Sequence, residues 1–125
     1  MSVKLNHTIV RARDSQASAA FFADIFGLPS PRPFGPFLTV QTANEVSLDF
    51  LGVDGDIARQ HYAFLVGEGD FDQIFGRVRE RALPYWADPM HRQSGEINTW
   101  NGGRGVYFED PNGHNLEILT RPYSA

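Results

Sequence analysis

The chain has 125 residues, of which 42% are apolar, enough for one domain with a hydrophobic core. Its formal net charge is −4 and it has no basic run, so binding to nucleic acid or to an anionic membrane surface is not expected. There is no cysteine, which excludes disulfides, thiolate metal ligands and cysteine nucleophiles.

The first half of the chain predicts a strand, a helix and three further strands. The segment KLNHTIV is rich in β-branched residues and predicts the first strand. Asp14 and Ser15 are suitable N-cap residues for the helix ASAAFFADIF, whose apolar side chains recur at helical spacing. Gly27 suits the position after this helix, and Pro29 prevents the helix from continuing. Further strands are predicted near residues 30–35, at Phe37–Thr42 and at Val46–Leu51.

The second half repeats this order. His61–Val66 predicts a strand, and Asp70 is expected to cap a second helix that ends near Ala82-Leu83-Pro84. The segments PYWADP, RGVYFED and NLEIL predict the remaining strands, which a loop from about Met90 to Gly103 interrupts. We therefore predict one α+β domain of two βαβββ modules, at about residues 1–55 and 56–125, with mixed sheets that curve around a cleft.

Four polar side chains occupy matching places in the two modules. His7 and His61 lie on the first strand of each module, and Asp49 and Glu117 lie on the last. Taken singly, a strand histidine is more often a half-buried, hydrogen-bonded side chain, and a strand carboxylate usually faces solvent. A pseudo-two-fold relation between the modules would bring all four toward one axis, so we predict that they form one site.

The chemistry of these four residues indicates a metal. Imidazole and carboxylate groups without a thiolate suit a divalent cation. Zn²⁺, Ni²⁺, Mn²⁺ and Fe²⁺ all accept such ligands, and the sequence does not choose among them.

Three segments carry a resemblance to a known family: LNHTIV, QHYAFLV and FEDPNGHNLEIL. In this order, and within paired βαβββ modules, they resemble the vicinal oxygen chelate superfamily. That superfamily includes glyoxalase I, extradiol dioxygenases, fosfomycin-resistance enzymes and bleomycin-type drug-binding proteins. The resemblance covers essentially the whole chain and implies the same fold.

The resemblance also implies which residues bind the metal. His7, His61 and Glu117 match the family's ligand positions, a set that leaves coordination sites open for a substrate. Glyoxalase I has a fourth carboxylate ligand on the strand that closes its first module, where this chain has Asp49. Because aspartate is one methylene shorter than the expected glutamate, Asp49 is predicted as a direct ligand, a ligand through water or a catalytic base. Glu117 is predicted to serve catalysis as well as metal binding.

Residues of the second module are candidates for substrate binding. The loop from Met90 to Gly103 is either a lid over the cleft or a surface loop. Trp100, Arg104 and Tyr107 are predicted to bind substrate. The alternatives are a core position for the aromatic residues and an exposed salt bridge for Arg104.

The segment DPNGH is predicted to have a structural role. Pro111 and Gly113 favour a turn, so Asp110 to Gly113 should form the hairpin that sets the register of the last strand. His114 is expected to lie on the surface at the end of this hairpin.

The resulting hypothesis is a glyoxalase-like enzyme. A divalent cation would act as a Lewis acid on a small oxygenated substrate, in lyase, isomerase or thiol-transferase chemistry. Two alternatives stay open: a bleomycin-type protein that sequesters a drug without turnover, and a non-haem Fe²⁺ extradiol dioxygenase.

The expected setting of the protein is a cytoplasmic homodimer. No apolar run approaches the roughly 20 residues that a membrane helix needs, and the first residues, MSVKLNH, lack the apolar core of a signal peptide. The resemblance implies a dimer, and two-fold dimers are the commonest oligomers.

Overall fold

In the computed structural model, which describes residues 2–123, the chain divides after Ala58 into two units. The first contains β1 (His7–Ala12), α1 (Ser15–Phe26), β2 (Arg32–Phe34), β3 (Phe37–Gln41) and β4 (Ser47–Gly52). The second contains β5 (His61–Leu65), α2 (Glu68–Glu80), β6 (Tyr85–Trp86), β7 (Gly105–Glu109) and β8 (Asn115–Leu119), with a short 3-10 helix at Trp100–Gly102. No helix among residues 2–123 is both long enough and apolar enough to span a membrane.

Each unit has one mixed sheet of four strands. In the first unit the order is β1-β4-β3-β2, with β1 parallel to β4 and the other neighbours antiparallel. In the second unit the order is β5-β8-β7-β6, with β5 parallel to β8 and the other neighbours antiparallel. Each helix follows the first strand of its unit, which confirms the predicted α+β fold of two βαβββ modules.

Local sequence sets both ends of α1. The side chain of Asp14 accepts a hydrogen bond from the backbone N–H of Ala17 at 3.1 Å, which confirms the predicted N-cap. Gly27 has a φ of 67°, a left-handed conformation that glycine adopts readily because it has no Cβ. The backbone N–H of Leu28 then donates to the carbonyl of Ala23, which closes the helix end.

The ends of α2 differ from the prediction. Its N-cap is Gly67, and Asp70 lies within the first turn, so the prediction that Asp70 caps this helix is wrong. Gly67 has no side chain to accept a hydrogen bond, but Glu68 and Asp70 place negative charge at the positive end of the helix dipole. The helix ends at Glu80, before Ala82, which has a φ of 53°.

Strand β8 is covered on both faces. Leu116 and Ile118 are buried, as are Phe71, Ile74 and Val78 of α2. Asn115 and Glu117 point to the opposite face, because side chains alternate along a strand, and they are buried as well. Asp49 is buried in the same way on β4, opposite Leu48 and Phe50. In the second unit, the buried polar face of β8 is the place where a functional site is expected.

The turn between β7 and β8 is formed by Asp110 to Gly113, as predicted. The carboxylate of Asp110 accepts hydrogen bonds from the backbone N–H groups of Asn112 at 2.9 Å and His114 at 2.8 Å. Gly113 has a φ of 87°, a conformation that favours glycine. These bonds fix where β8 begins.

His114, by contrast, does not lie on the surface. Its side chain is 0% exposed, and its Nδ1 accepts a hydrogen bond from the backbone N–H of Gln60 at 3.0 Å. Its ring also packs edge-on against Tyr62, with centroids 5.7 Å apart. The prediction of a surface residue is therefore wrong, because His114 joins the hairpin to the start of β5.

Candidate metal centre in the second unit

His61 and Glu117 lie on the parallel strands β5 and β8, on the same face of the sheet. The register pairs His61 with Asn115 and Ala63 with Glu117, so the two side chains are two residues apart along the strands. Nε2 of His61 lies 3.0 Å from Oε1 of Glu117. The structure therefore brings together two of the predicted metal ligands.

This pair offers two kinds of ligand atom that divalent cations accept. Glu117 is 1% exposed, whereas the side chain of His61 is 45% exposed. A buried carboxylate is costly unless a cation or hydrogen-bond donors compensate its charge. An imidazole nitrogen and a carboxylate oxygen that converge, with the imidazole open to solvent, fit a bound metal ion.

The second carboxylate oxygen of Glu117 is held by tyrosines. The hydroxyl of Tyr123 donates a hydrogen bond to Oε2 of Glu117, and the hydroxyl of Tyr107 lies 3.1 Å from that of Tyr123. Because Tyr123 has a single hydroxyl proton and gives it to Glu117, Tyr107 must donate to Tyr123. Tyr107 also lies directly across from Glu117 in the register of β7 and β8.

Both phenols are held in their protonated form. Burial, the hydrogen bond to Tyr123 and the charge of Glu117 together raise the pKa of Tyr107 well above its ordinary value. Burial and the hydrogen bond to Glu117 also raise the pKa of Tyr123. At neutral pH the two tyrosines therefore act as hydrogen-bond donors.

Asn115 connects the same sheet face to a loop. Its Oδ1 accepts a hydrogen bond from Nε2 of His91 at 2.8 Å, and its Nδ2 donates to the carbonyl of Pro89 at 3.2 Å. The ring of His91 stacks on Trp86 with centroids 3.7 Å apart and an angle of 1°. His91 also has a φ of 58°, a strained conformation for a residue with a Cβ. Stacking and hydrogen bonding thus fix this loop beside His61.

A cavity of about 380 Å³ opens at this place. It is lined by Arg59, Gln60, His61, Pro89, Met90, His91 and Asn115. Because His61 is one of these residues, a small molecule in the cavity would contact the imidazole of the candidate metal centre.

The predicted ligands of the first unit have other neighbours. Nδ1 of His7 lies 2.8 Å from the side-chain oxygen of Asn6, and His7 is exposed. Asp49 is 8% exposed and accepts a hydrogen bond from the hydroxyl of Ser47 at 2.6 Å. Among residues 2–123, no group of three or more histidine and acidic side chains forms a ready metal site. The roles of His7 and Asp49 stay predictions.

Two of the predicted substrate-binding residues lie close together, and the third lies elsewhere. The rings of Trp100 and Tyr107 are 6.4 Å apart. Arg104 forms ion pairs with Glu68 and Asp72, each at 2.8 Å, beside helix α2. Substrate binding by these residues stays a prediction.

Sequence reasoning missed two contributors to the site, Tyr123 and Asn115. Asn115 gave a signal, because it precedes Glu117 by two residues and so shares its strand face. The sequence contains no signal for Tyr123, because this residue follows the last strand and no periodic pattern places its side chain.

A comparison with protein families identifies the superfamily of this chain. A family model described as the Glyoxalase/Bleomycin resistance protein/Dioxygenase superfamily matches residues 4–118. The chain belongs to this superfamily. The match confirms the family predicted from the sequence, and His61 and Glu117 both lie within the matched residues.

Several relatives in the superfamily are enzymes. A solved structure named oxidase ChaP-H1 is 65% identical, with a TM-score of 0.97, and the match covers 99% of this chain and 100% of that one. The chain is 28% identical to glutathione transferase FosA of Serratia marcescens, over 94% of this chain and 81% of FosA. It is 26% identical to metallothiol transferase FosB of Lysinibacillus sphaericus (strain C3-41), over 93% of this chain and 81% of FosB.

Proposed function

We propose that this protein is a metal-dependent oxidase of a small oxygenated molecule, with His61 and Glu117 as metal ligands. The observation that carries the proposal is the contact between His61 and the buried Glu117, in a chain 65% identical to a protein named an oxidase. The oxidase is closest to the dioxygenase alternative drawn from the sequence, and it replaces glyoxalase-like chemistry as the leading hypothesis.

The metal in this proposal is Mn²⁺, Fe²⁺, Ni²⁺ or Zn²⁺, which all accept nitrogen and oxygen ligands. A bound cation of this kind supplies Lewis acidity, and Fe²⁺ or Mn²⁺ also supplies access to dioxygen chemistry. His7 is proposed as a third ligand. Asp49 is proposed as a further ligand, directly or through water, or as the base that accepts a proton from substrate.

The residues around Glu117 have distinct proposed tasks. Tyr123 holds Oε2 of Glu117, so that Oε1 is turned toward His61. His91 and Asn115 fix one wall of the cavity in which the substrate binds beside His61. Tyr107 keeps a protonated hydroxyl on the same face of the sheet as Glu117.

A second candidate function is thiol transfer. It is supported by the 28% identity to FosA and the 26% identity to FosB, over most of the chain. The same two ligands would serve it, but the substrates differ, since a thiol and an electrophile would replace dioxygen and a reductant. Sequestration of a drug has no comparable support, because these relatives are named as enzymes.

The two candidates are separated by what the metal-loaded protein consumes. Purified protein would be loaded anaerobically with Fe²⁺ or Mn²⁺ and placed in an oxygen electrode with a panel of catechols and hydroquinones. We expect oxygen uptake by the wild type and loss of this uptake in His61→Ala, because that change removes a metal ligand. Tyr85→Phe is the matched control, since the ring of Tyr85 packs on Phe75 of helix α2, 4.9 Å away.

A parallel assay would follow free thiol in the presence of glutathione and fosfomycin. Thiol consumption without oxygen uptake would contradict the oxidase and support thiol transfer. Oxygen uptake that persists in His61→Ala would contradict the proposed metal centre.

We also propose that the protein acts as a homodimer in the cytoplasm. Light scattering after size-exclusion chromatography would give the mass of the particle. A mass of one chain at micromolar concentration would contradict the dimer.

A further inference from the structure

The last described residue, Tyr123, reaches back to the buried carboxylate of Glu117. It lies beyond the end of β8 and outside every strand and helix, yet its hydroxyl donates a hydrogen bond to Oε2 of Glu117. Its side chain is not part of the core, because Tyr123 is 54% exposed. Tyr123 therefore supplies a hydrogen-bond donor to one of the most buried acidic groups in the second unit.

The two oxygens of Glu117 are divided between two partners. Oε1 lies 3.0 Å from Nε2 of His61, while Oε2 accepts from Tyr123. A carboxylate with free rotation about its last bond could turn either oxygen, or both, toward His61. The hydrogen bond from Tyr123 removes that freedom, because turning the carboxylate would break a bond to an ionised acceptor.

Tyr107 holds Tyr123 in place. Tyr107 is 2% exposed and lies across from Glu117 in the register of β7 and β8. Its hydroxyl is 3.1 Å from that of Tyr123, so this buried residue of β7 holds the more exposed Tyr123. The hydrogen bonds thus connect Tyr107 of the sheet, through Tyr123, to the candidate ligand Glu117.

We propose that Tyr123 is a positioning residue for the metal centre, which fixes the Glu117 carboxylate so that Oε1 alone binds the cation. The inference rests on the proposed function, since it concerns the same carboxylate. Groups that hydrogen-bond to a metal ligand set its orientation and commonly change metal affinity about 10–100-fold when they are removed.

The test compares full-length wild type with Tyr123→Phe, which removes the hydroxyl and keeps the ring. Each protein would be titrated with Co²⁺, and the visible absorption would report both affinity and coordination. We expect Tyr123→Phe to bind Co²⁺ about 10-fold more weakly. The absorption band should also change in position and intensity, because the carboxylate can then offer both oxygens to the metal.

Tyr85→Phe is the control for loss of a tyrosine hydroxyl from the same sheet. The ring of Tyr85 lies 4.9 Å from Phe75 of helix α2 and edge-on to it. We expect it to bind Co²⁺ with the wild-type affinity and spectrum. A change of folding alone would lower the bound fraction but would leave the band of the bound protein unchanged, so the spectrum separates positioning from a structural role.

Three outcomes decide the matter. A weaker affinity with an altered band in Tyr123→Phe alone supports the proposal. The wild-type affinity and band in Tyr123→Phe would overturn it and would leave the metal centre itself intact. If wild type binds no Co²⁺ at all, the proposed function fails, and the positioning role fails with it.

A second variant covers the case in which Tyr123→Phe folds poorly. A chain that ends at Pro122 lacks the whole tyrosine, and circular dichroism would confirm its fold. We expect the same altered band from this variant. An unchanged band and affinity would overturn the proposal.

Discussion

The two βαβββ units place a histidine and a carboxylate at the same relative register, but the side chains have different partners. In the first unit, His7 is paired with Ser47 and Ile9 with Asp49. Asp49 accepts a hydrogen bond from the hydroxyl of Ser47, two residues earlier on the same strand, at 2.6 Å. The carboxylate of this unit is therefore engaged within its own strand.

In the second unit, the equivalent carboxylate reaches across to the histidine. Asn115 occupies the place of Ser47, and its side chain is engaged by His91. Glu117 is one methylene longer than aspartate and lies 3.0 Å from His61.

The difference teaches that the repeat sets the positions, whereas the neighbouring side chains decide the chemistry. In the first unit, the serine two residues before the carboxylate donates a hydrogen bond to it. In the second unit, the asparagine at that position is bonded to a loop instead. From this comparison we expect Glu117 to matter more to a metal than Asp49, although the fold treats them alike.

The largest expected effect follows from exchanging each carboxylate for its amide. Glu117→Gln keeps the size of the side chain but removes the charge of a proposed direct ligand. Loss of a group that only hydrogen-bonds to a ligand lowers metal affinity about 10–100-fold, so we expect Glu117→Gln to lower it by about 100-fold or more. Asp49→Asn should cost about 10-fold or less. Titration of the metal-free proteins with Mn²⁺ or Co²⁺ measures both, and equal losses would show that the two units contribute alike.

The hairpin turns offer the next comparison. Asp110 in the second unit is buried and accepts hydrogen bonds from two backbone N–H groups. Asp110→Ala should therefore lower the free energy of unfolding by about 2–3 kcal/mol, since buried donors lose an ionised acceptor. In the first unit, Thr42 accepts from the backbone N–H of Val46 at 3.2 Å, and Thr42→Ala should cost only about 0.5–1 kcal/mol.

Urea denaturation of the two variants and the wild type would measure these losses. A larger loss in Thr42→Ala than in Asp110→Ala would contradict the view that the second turn is the more strongly built.

Substitutions at the ends of α1 and α2 should have smaller effects on stability, with opposite signs in the two units. Gly27 and Ala82 both have a positive φ, of 67° and 53°, and the next residue, Leu28 or Leu83, donates its N–H five residues back. An L-residue in this conformation costs about 1 kcal/mol. We expect Gly27→Ala to destabilise the protein by about 1 kcal/mol and Ala82→Gly to stabilise it by about 0.5–1 kcal/mol.

Thermal unfolding of both single variants would show the two shifts. A lower melting temperature for Ala82→Gly would mean that the entropy of glycine in the unfolded chain outweighs the relief of strain.

The smallest expected effect is on the pH dependence of stability, and it comes from an acidic residue in the first turn of α2. Hydrogen bonds from Thr120 and Arg104 lower the pKa of Glu68 from its ordinary value of 4.5, whereas α1 has no acidic residue in its first turn. A lowered pKa in the folded state gives stability that is present above pH 4.5 and is lost as the pH falls through the folded-state pKa. The loss is small because Glu68 is exposed.

The measurement is the melting temperature between pH 6 and pH 3. We expect Glu68→Gln to lose less stability over this range than the wild type. Asp24→Asn removes an exposed carboxylate of α1 and is the matched control for the loss of one acidic side chain. Parallel curves for wild type and Glu68→Gln would contradict the assigned pKa shift.

The fold could be predicted because it rests on local rules. Gly27 followed by Pro29 marks a helix end, and Asp110 with Gly113 marks a turn, each through the conformations available to a few adjacent residues. The error at Asp70 is also local in origin. A suitable capping side chain was present, but the chain enters the helix at Gly67, where a residue without a side chain serves as the cap.

Only the part of the site that depends on strand alternation could be predicted from the sequence. Alternation placed Glu117 on one face of its strand, and the repeat linked it to Asp49. The hydrogen bond from Tyr123, the stacking of His91 on Trp86 and the burial of His114 arise from segments that meet only in the folded chain. No pattern of spacing in the sequence reports such contacts.

The most direct test of the central claim is a crystal structure of the protein loaded with Mn²⁺ or Zn²⁺, with the metal located by its anomalous scattering. We predict a peak about 2.0–2.2 Å from both Nε2 of His61 and Oε1 of Glu117, with Oε2 still bound to Tyr123. A metal held elsewhere, or a fully loaded protein with no peak at His61 and Glu117, would contradict the account.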